Sequence, residues 1–252
     1  MTRLQAEGQR LYLTQPATGE AARSEPQTLA APAGRTRALV LSIAAPGAWN
    51  PVLALWQGVQ ADLQLPAPAI AVAGSEGYQL WFALGEAVAT DRALDFLAGL
   101  RRRYLADIAP ERIAGFPADP AAARTARAPT LPPQAIAPGR WSAFVASDLA
   151  ALFADEPWLD LPPSADAQAD LLSRVPVAPV ADWQRACERL AADAAAPVAH
   201  DKPLATTTAS SAPHEDPRRF LLGVMNDPAV DLHLRIEAAK ALLPSFAGPR
   251  AC

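Results

Sequence analysis

Arginine is the residue type whose clustering offers chemistry most directly. Arg101, Arg102 and Arg103 stand in a row, with Arg112, Arg124, Arg127 and Arg140 further along the chain. Guanidinium groups suit phosphate oxygens, which they meet with paired N–H donors. The tract also has a plainer reading as a solvated helix end, where cations complement the negative end of the helix dipole. Gly74-Ser75-Glu76-Gly77 is a second candidate, because successive backbone amides in such a turn can cradle an anion. A tight turn between strands has the same composition. Of six tryptophans, Trp49, Trp56, Trp141, Trp158 and Trp183 are mostly spaced as core anchors. Trp81, with Tyr78 and Phe82 on its own segment, is the one placed to line a groove.

Other chemistries lack their residues. His200, His214 and His233 have no second ligand at metal spacing, and Cys187 and Cys252 sit beside no histidine. There is no Gly-x-Ser-x-Gly motif and no Gly-x-x-x-x-Gly-Lys phosphate loop. Asp62, Asp107 and Asp160 could serve a reaction only with a carboxylate partner, and none stands at a matching spacing. No catalytic residues, no metal and no cofactor are expected.

Composition sets the outer bounds. The chain has 252 residues, 51% of them hydrophobic, which suffices for a sizeable core although much of that fraction is alanine. Charged residues make up 19% and the net charge is −4, unlike a domain that binds phosphate backbones without regard to sequence. Residues 1–10 have no apolar core of signal-peptide length, and no apolar run approaches the ~20 residues of a membrane span. A cytoplasmic protein with no membrane association is the expectation.

The candidate groups need elements to hold them. Residues 9–15 read as a short strand, from the alternation of Leu11 and Leu13. A loop over 16–35 follows, and 37–44 (RALVLSIA) reads as a buried strand. Val52, Leu55, Trp56, Val59 and Leu63 recur at helical spacing over 49–63. Residues 69–73 and 78–84 read as a hairpin around the 74–77 turn. Thr90 is placed to cap a helix carrying Ala93, Leu94, Leu97, Leu100 and Tyr104. The order β-α-β-β-α packs helices on one face of a sheet. Residues 118–138 read as irregular, 142–145 as a strand, 147–153 and 182–194 as helices.

Residues 195–215 hold almost no large apolar side chain and read as a linker that cannot offset its ordering entropy. Beyond it, Asp216-Pro217 opens a helix with Phe220, Leu221, Val224 and Met225 on one stripe. A second helix carries Leu232, Ile236, Ala239 and Leu243. The expected organisation is an α+β body over 1–194, a linker over 195–215 and a helical hairpin over 216–252.

Within the body, ALVLSIA, WNPVLALWQGVQADLQLP and AIAVAGSEGYQLWFAL, followed by Arg112 to Pro117, resemble the core of archaeo-eukaryotic-type primases and primase–polymerases. The resemblance implies a strand bearing paired metal-binding aspartates and a neighbouring strand bearing a histidine. Ser42 and Ala44 stand where the aspartates would be, and Gln79 where the histidine would be. Serine and alanine cannot hold the magnesium ions that nucleotidyl transfer needs. Residues 216–246 resemble helical segments of some phage terminase small subunits, which implies a contact with a protein partner.

The two resemblances together imply a non-catalytic accessory protein of a mobile genetic element or phage-like system. Its ligand would be DNA, RNA or a nucleotide, held by a groove with Ser75, Gln79, Trp81, Arg101, Arg102, Arg103 and Arg112. The other reading is a protein–protein adaptor with no nucleic-acid role.

Overall fold

Strict alternation of side chains along β3 (Tyr78–Ala89) divides the molecule into two packed layers. Tyr78, Leu80, Phe82 and Leu84 enter one core cluster, while Trp81 and Ala83 enter the other. β1 (Arg35–Ile43) does the same, with Leu39, Leu41 and Ile43 on the first side and Ala38 and Val40 on the second. A strand buried on both faces must be apolar at successive positions, which is why 38–43 and 80–84 run as near-continuous hydrophobic stretches. The structure is a computed structural model that describes residues 1–13, 29, 34–44, 47, 49–75, 77–118 and 129–195.

Among the described residues six strands pair antiparallel in the order β4-β1-β3-β2-β6-β5. β2 spans Ala69–Val72, β4 Ile113–Phe116, β5 Gln134–Ala137 and β6 Arg140–Val145. The first face is covered by α2 (Trp49–Ala61), α3 (Thr90–Tyr104) and α5 (Val180–Ala195). Their buried stripes are Val52, Leu55 and Val59, then Ala93, Phe96, Leu97 and Leu100, then Trp183, Ala186 and Leu190. α2 and α3 approach so closely that a Cβ on Gly58 would collide with the edge of the Tyr104 ring. Against the second face lie Leu11 and Tyr12 from the end of α1 (Arg3–Leu11) and Leu172 from α4 (Ala165–Ser173). Arg10 ties α1 to the end of α4 by donating to the Leu172 carbonyl at 2.9 Å.

The chain is therefore an α+β protein, and the β-α-β-β-α core places α2 and α3 on one face. Several local expectations are corrected. Residues 9–11 close a helix rather than opening a strand, because Thr2 and Gln5 form a capping box: Gln5 N donates to Thr2 Oγ1 at 3.2 Å and Thr2 N to Gln5 Oε1 at 2.8 Å. Leu4, Gly8 and Leu11 then fall on one helical face, and the Leu11–Leu13 alternation is only its end. Thr90 does not cap α3; Ala89 holds the N-cap position, and the Thr90 hydroxyl is buried without a partner among the described residues. Residues 134–137, expected as irregular, form β5. The 147–153 helix is a short 3-10 turn over Ala150–Phe153, and α4 was not expected. α1 and α4 also add helices to the second face. The 195–215 linker, apart from its first residue, and the 216–252 hairpin lie outside the described residues.

Candidate functional site

Ser42 stands directly opposite Gln79 in the β1–β3 register, and Val40 opposite Trp81. Directly opposed residues share a sheet face with their Cβ atoms about 4.5–5.5 Å apart. On the far side of β3, Ala71 pairs with Gln79; on the far side of β1, Ala114 pairs with Ser42. A row thus runs across four strands as Ala114, Ser42, Gln79, Ala71. Ser42 and Gln79 are half-buried, and their flanking neighbours carry only methyl groups. A hydroxyl and a carboxamide therefore stand above an otherwise smooth floor. Ala44, two residues on from Ser42, donates its N–H to the Arg112 carbonyl at 2.8 Å, which places Arg112 across the end of β1.

One register row inward, Trp81 is fully buried. Its ring meets Tyr12 edge-on at 5.2 Å and Phe144 at 5.7 Å between centroids. It presents no surface to a ligand, and its indole Nε1–H donates to Gln79 Oε1 at 3.1 Å. Tyr12 lies above it with a buried hydroxyl that has no partner among the described residues, and burial holds that phenol well above its ordinary range.

Ser75 is exposed in the turn between β2 and β3. Gly74 and Gly77 take positive φ there, and a Cβ on Gly77 would strike the Ile43 carbonyl. The Gly74 amide donates to the Pro157 carbonyl at 3.0 Å, so that donor serves the fold. Ser75, Gln79 and Arg112 share one end of the sheet. Arg101, Arg102 and Arg103 do not join them: α3 packs on the first face, whereas Gln79 and Trp81 lie on the second.

Arg103 has a structural post. It is paired with Asp193 of α5 and, at 3.0 Å, with Asp62 beyond the end of α2. Asp62 also accepts from the Tyr104 hydroxyl at 2.9 Å, and Arg189 donates to its backbone carbonyl. The hydrogen bond from Tyr104, helped by Arg103, lowers the Asp62 carboxyl below its ordinary value. Tyr104 is pushed up to about 12, first by burial and then by Asp62. Three helix ends are thus joined by one polar network that sequence spacing could not reveal, since its members lie far apart in the chain.

Other chemistry can be placed briefly. Among the described residues no three His, Cys, Asp or Glu side chains converge as metal ligands would. Asp62 is engaged as above, while Asp107 and Asp160 are exposed. Burial pushes the Cys187 thiol up to about 11, away from thiolate chemistry. Arg140 lies over the Trp158 ring at 4.1 Å, a cation–π contact that the sequence, with the strand expected only over 142–145, did not signal. His200, His214, His233, Glu76, Arg124, Arg127 and Cys252 lie outside the described residues. The sequence matches no protein-family model and no curated protein.

Proposed function

We propose that the chain is a non-catalytic accessory protein that binds nucleic acid or a nucleotide on the sheet face around Ser42 and Gln79. The observation that carries this reading is the direct Ser42–Gln79 pairing on a half-buried patch flanked by alanines. Those two positions, with Ala44, are the ones the primase resemblance assigns to metal-binding aspartates and a histidine. Ser42 and Gln79 share one sheet face near one strand end, which supports the reading. Their present chemistry is neutral: donors and acceptors for hydrogen bonds, without carboxylates to hold a cation. Arg112, at the rim, supplies a positive charge. Participation in replication or maintenance of a mobile element follows from the resemblances and belongs to the same proposal.

Fluorescence anisotropy with a labelled single-stranded oligonucleotide over a salt series tests it. Phosphate contacts impose a linear fall of log K with log salt, of about 0.7 per neutralised phosphate on a single strand. A small slope is expected, because the set supplies one cation. Gln79→Met should weaken binding without changing the slope, and Arg112→Gln should reduce the slope. An absence of binding at low salt rejects the reading.

The adaptor reading has its own observation. Leu149 and Leu152 are 51% and 77% exposed. They sit three apart, the spacing that eclipses side chains where a 3-10 turn forms. The 3-10 turn over Ala150–Phe153 is anchored through the Ala150 carbonyl, which accepts from the Tyr78 hydroxyl at 2.8 Å. Two apolar side chains on a fixed turn suit a protein partner. Retained partner binding in Gln79→Met together with its loss in Leu152→Ser favours this second reading.

A further inference from the structure

A carboxamide has two ends, and what a glutamine offers a ligand depends on which end faces outward. Gln79 Oε1 and Nε2 differ as acceptor and donor, so a flipped amide would present the opposite chemistry. Here the orientation is dictated by a neighbour. The indole Nε1–H of Trp81 is a donor with no acceptor capacity, so only the oxygen of Gln79 can meet it at 3.1 Å. Trp81 cannot turn away to release that bond. Its ring is fully buried, held edge-on by Tyr12 and Phe144, and a buried indole N–H left unpaired is costly. The Nε2 group is therefore turned away from Trp81, and among the described residues it has no hydrogen-bond partner. Its cross-strand neighbour Ser42 adds a hydroxyl, and its other neighbour Ala71 adds no polar group.

We infer that Trp81 is a positioning residue: it fixes the Gln79 carboxamide so that the Nε2 donors, with the Ser42 hydroxyl, receive phosphate oxygens. The inference rests on the binding reading above and names the group that is bound. A phosphate offers only acceptors, which matches a donor-presenting amide. Phosphate chemistry is shared by nucleotides and by nucleic-acid backbones. Pre-orientation matters because a free amide would have to be ordered on binding, and it would present its oxygen to the ligand part of the time.

The lock and the ligand are separately measurable on the full chain. In a hydrogen-exchange NMR experiment, the Trp81 indole proton, assigned by its loss in Trp81→Phe, should exchange slowly. In Gln79→Met it should exchange at least tenfold faster. An indole proton that exchanges freely in the unmodified protein overturns the lock whatever the ligand does. Binding is then read with two probes, inorganic tripolyphosphate and a single-stranded oligothymidylate. Trp81→Phe should weaken both by roughly three- to tenfold, the worth of one oriented hydrogen bond. Because that substitution also alters packing, Gln79→Glu provides the sharper arm. It keeps the acceptor for Trp81 but replaces the outward donors with a carboxylate oxygen, so tripolyphosphate affinity should fall at least tenfold while the indole proton stays protected. Equal affinity in Gln79→Glu and the unmodified protein overturns the proposal. Binding of tripolyphosphate as tightly as the oligonucleotide identifies a nucleotide-type ligand; preference for the oligonucleotide identifies a backbone. Binding of neither probe overturns the phosphate assignment and the function proposed above, even where the indole proton proves protected.

Discussion

Gln168 holds both backbone groups of Phe144: its Oε1 accepts from Phe144 N at 2.7 Å and its Nε2 donates to Phe144 O at 3.0 Å. The reason lies in the sheet. β5 accompanies β6 from Arg140 to Ser142 and no further, so the next outward-facing peptide groups of β6 lack a strand partner. A side chain of α4 supplies the missing ladder. Gln168 is itself buried, so its loss strands an N–H and a C=O away from water. Gln168→Leu is expected to cost about 2–4 kcal/mol, from about 1–3 kcal/mol for each stranded group with partial relaxation. Urea unfolding checks this, and an unchanged midpoint would contradict it.

Alkaline pH should act through the buried phenols Tyr12, Tyr78 and Tyr104 and through the Cys187 thiol, all of which burial holds above their ordinary values. Tyr78 is pushed up to about 12, by burial first and then by Asp155, and Tyr104 to about 12, by burial and then by Asp62. Both ordinary values are 10.0, so the unfolded chain ionises before the folded one does. A folded-state pKa raised above the unfolded value gives stability that is complete below the unfolded pKa and lost as pH rises through the folded one. The part of thermal stability that Tyr78 and Tyr104 contribute should therefore fall between about pH 10 and pH 12. Tyr78→Phe, although it loses its bond to Ala150, should flatten that limb. The same steepness in the Tyr78→Phe, Tyr104→Phe double variant would assign the limb to other groups.

Sequence reading reached the elements whose burial leaves a local pattern. β1, β2, β3, α2 and α3 were legible because 37–44, 69–73 and 78–84 are apolar at successive positions and 49–63 is apolar at every third or fourth. α4 was hidden because its buried face is Gln168, Ala169 and Leu172, one polar, one small and one large residue. α1 runs against the period-2 alternation of Leu11 and Leu13 because the stronger local signal is the capping pair of Thr2 with Gln5 three residues on. The candidate site was half legible. Gln79 and the departure at Ser42 could be named, but their pairing is a non-local register across an intervening helix and strand. Arg101–Arg103 failed to join for a similar reason: a run of like charges gives no sign of which sheet face its helix covers.

Gly58 should reveal how tightly α2 and α3 are fitted. A methyl there would occupy the space of the Tyr104 ring, whose hydroxyl holds Asp62 at 2.9 Å. Gly58→Ala should destabilise by about 1–2 kcal/mol, since overpacking outweighs the helix propensity that alanine gains. In a Tyr104→Ala background the obstruction is gone, and the same substitution should stabilise by up to about 1 kcal/mol. A double-mutant cycle by chemical denaturation reads the change of sign. Additive effects would mean that the ring moves aside at no cost.

The unmodified protein is expected to show no metal-dependent nucleotide incorporation, and the reason is an inventory of the sheet. Two-metal transfer needs several carboxylates brought within a few ångströms, because hard cations take charged oxygen ligands. β1, β2, β4, β5 and β6 contain no Asp or Glu, and the only carboxylate of β3 is Glu86, which is exposed beyond the buried part of the strand. The row across the sheet end, Ala114, Ser42 and Gln79, carries a methyl group, a hydroxyl and a carboxamide and no carboxylate. Ser42→Asp with Ala44→Asp would put two carboxylates on one face beside Gln79. Like charges so close repel each other without a cation, so the double variant should be less stable alone and regain stability with manganese. Calorimetric titration should then detect manganese in the double variant and none in the parent. Primer extension with magnesium or manganese, on protein free of contaminating polymerase, gives the decisive measurement. Robust extension by the unmodified chain would place catalytic carboxylates somewhere other than this sheet and would end the non-catalytic reading.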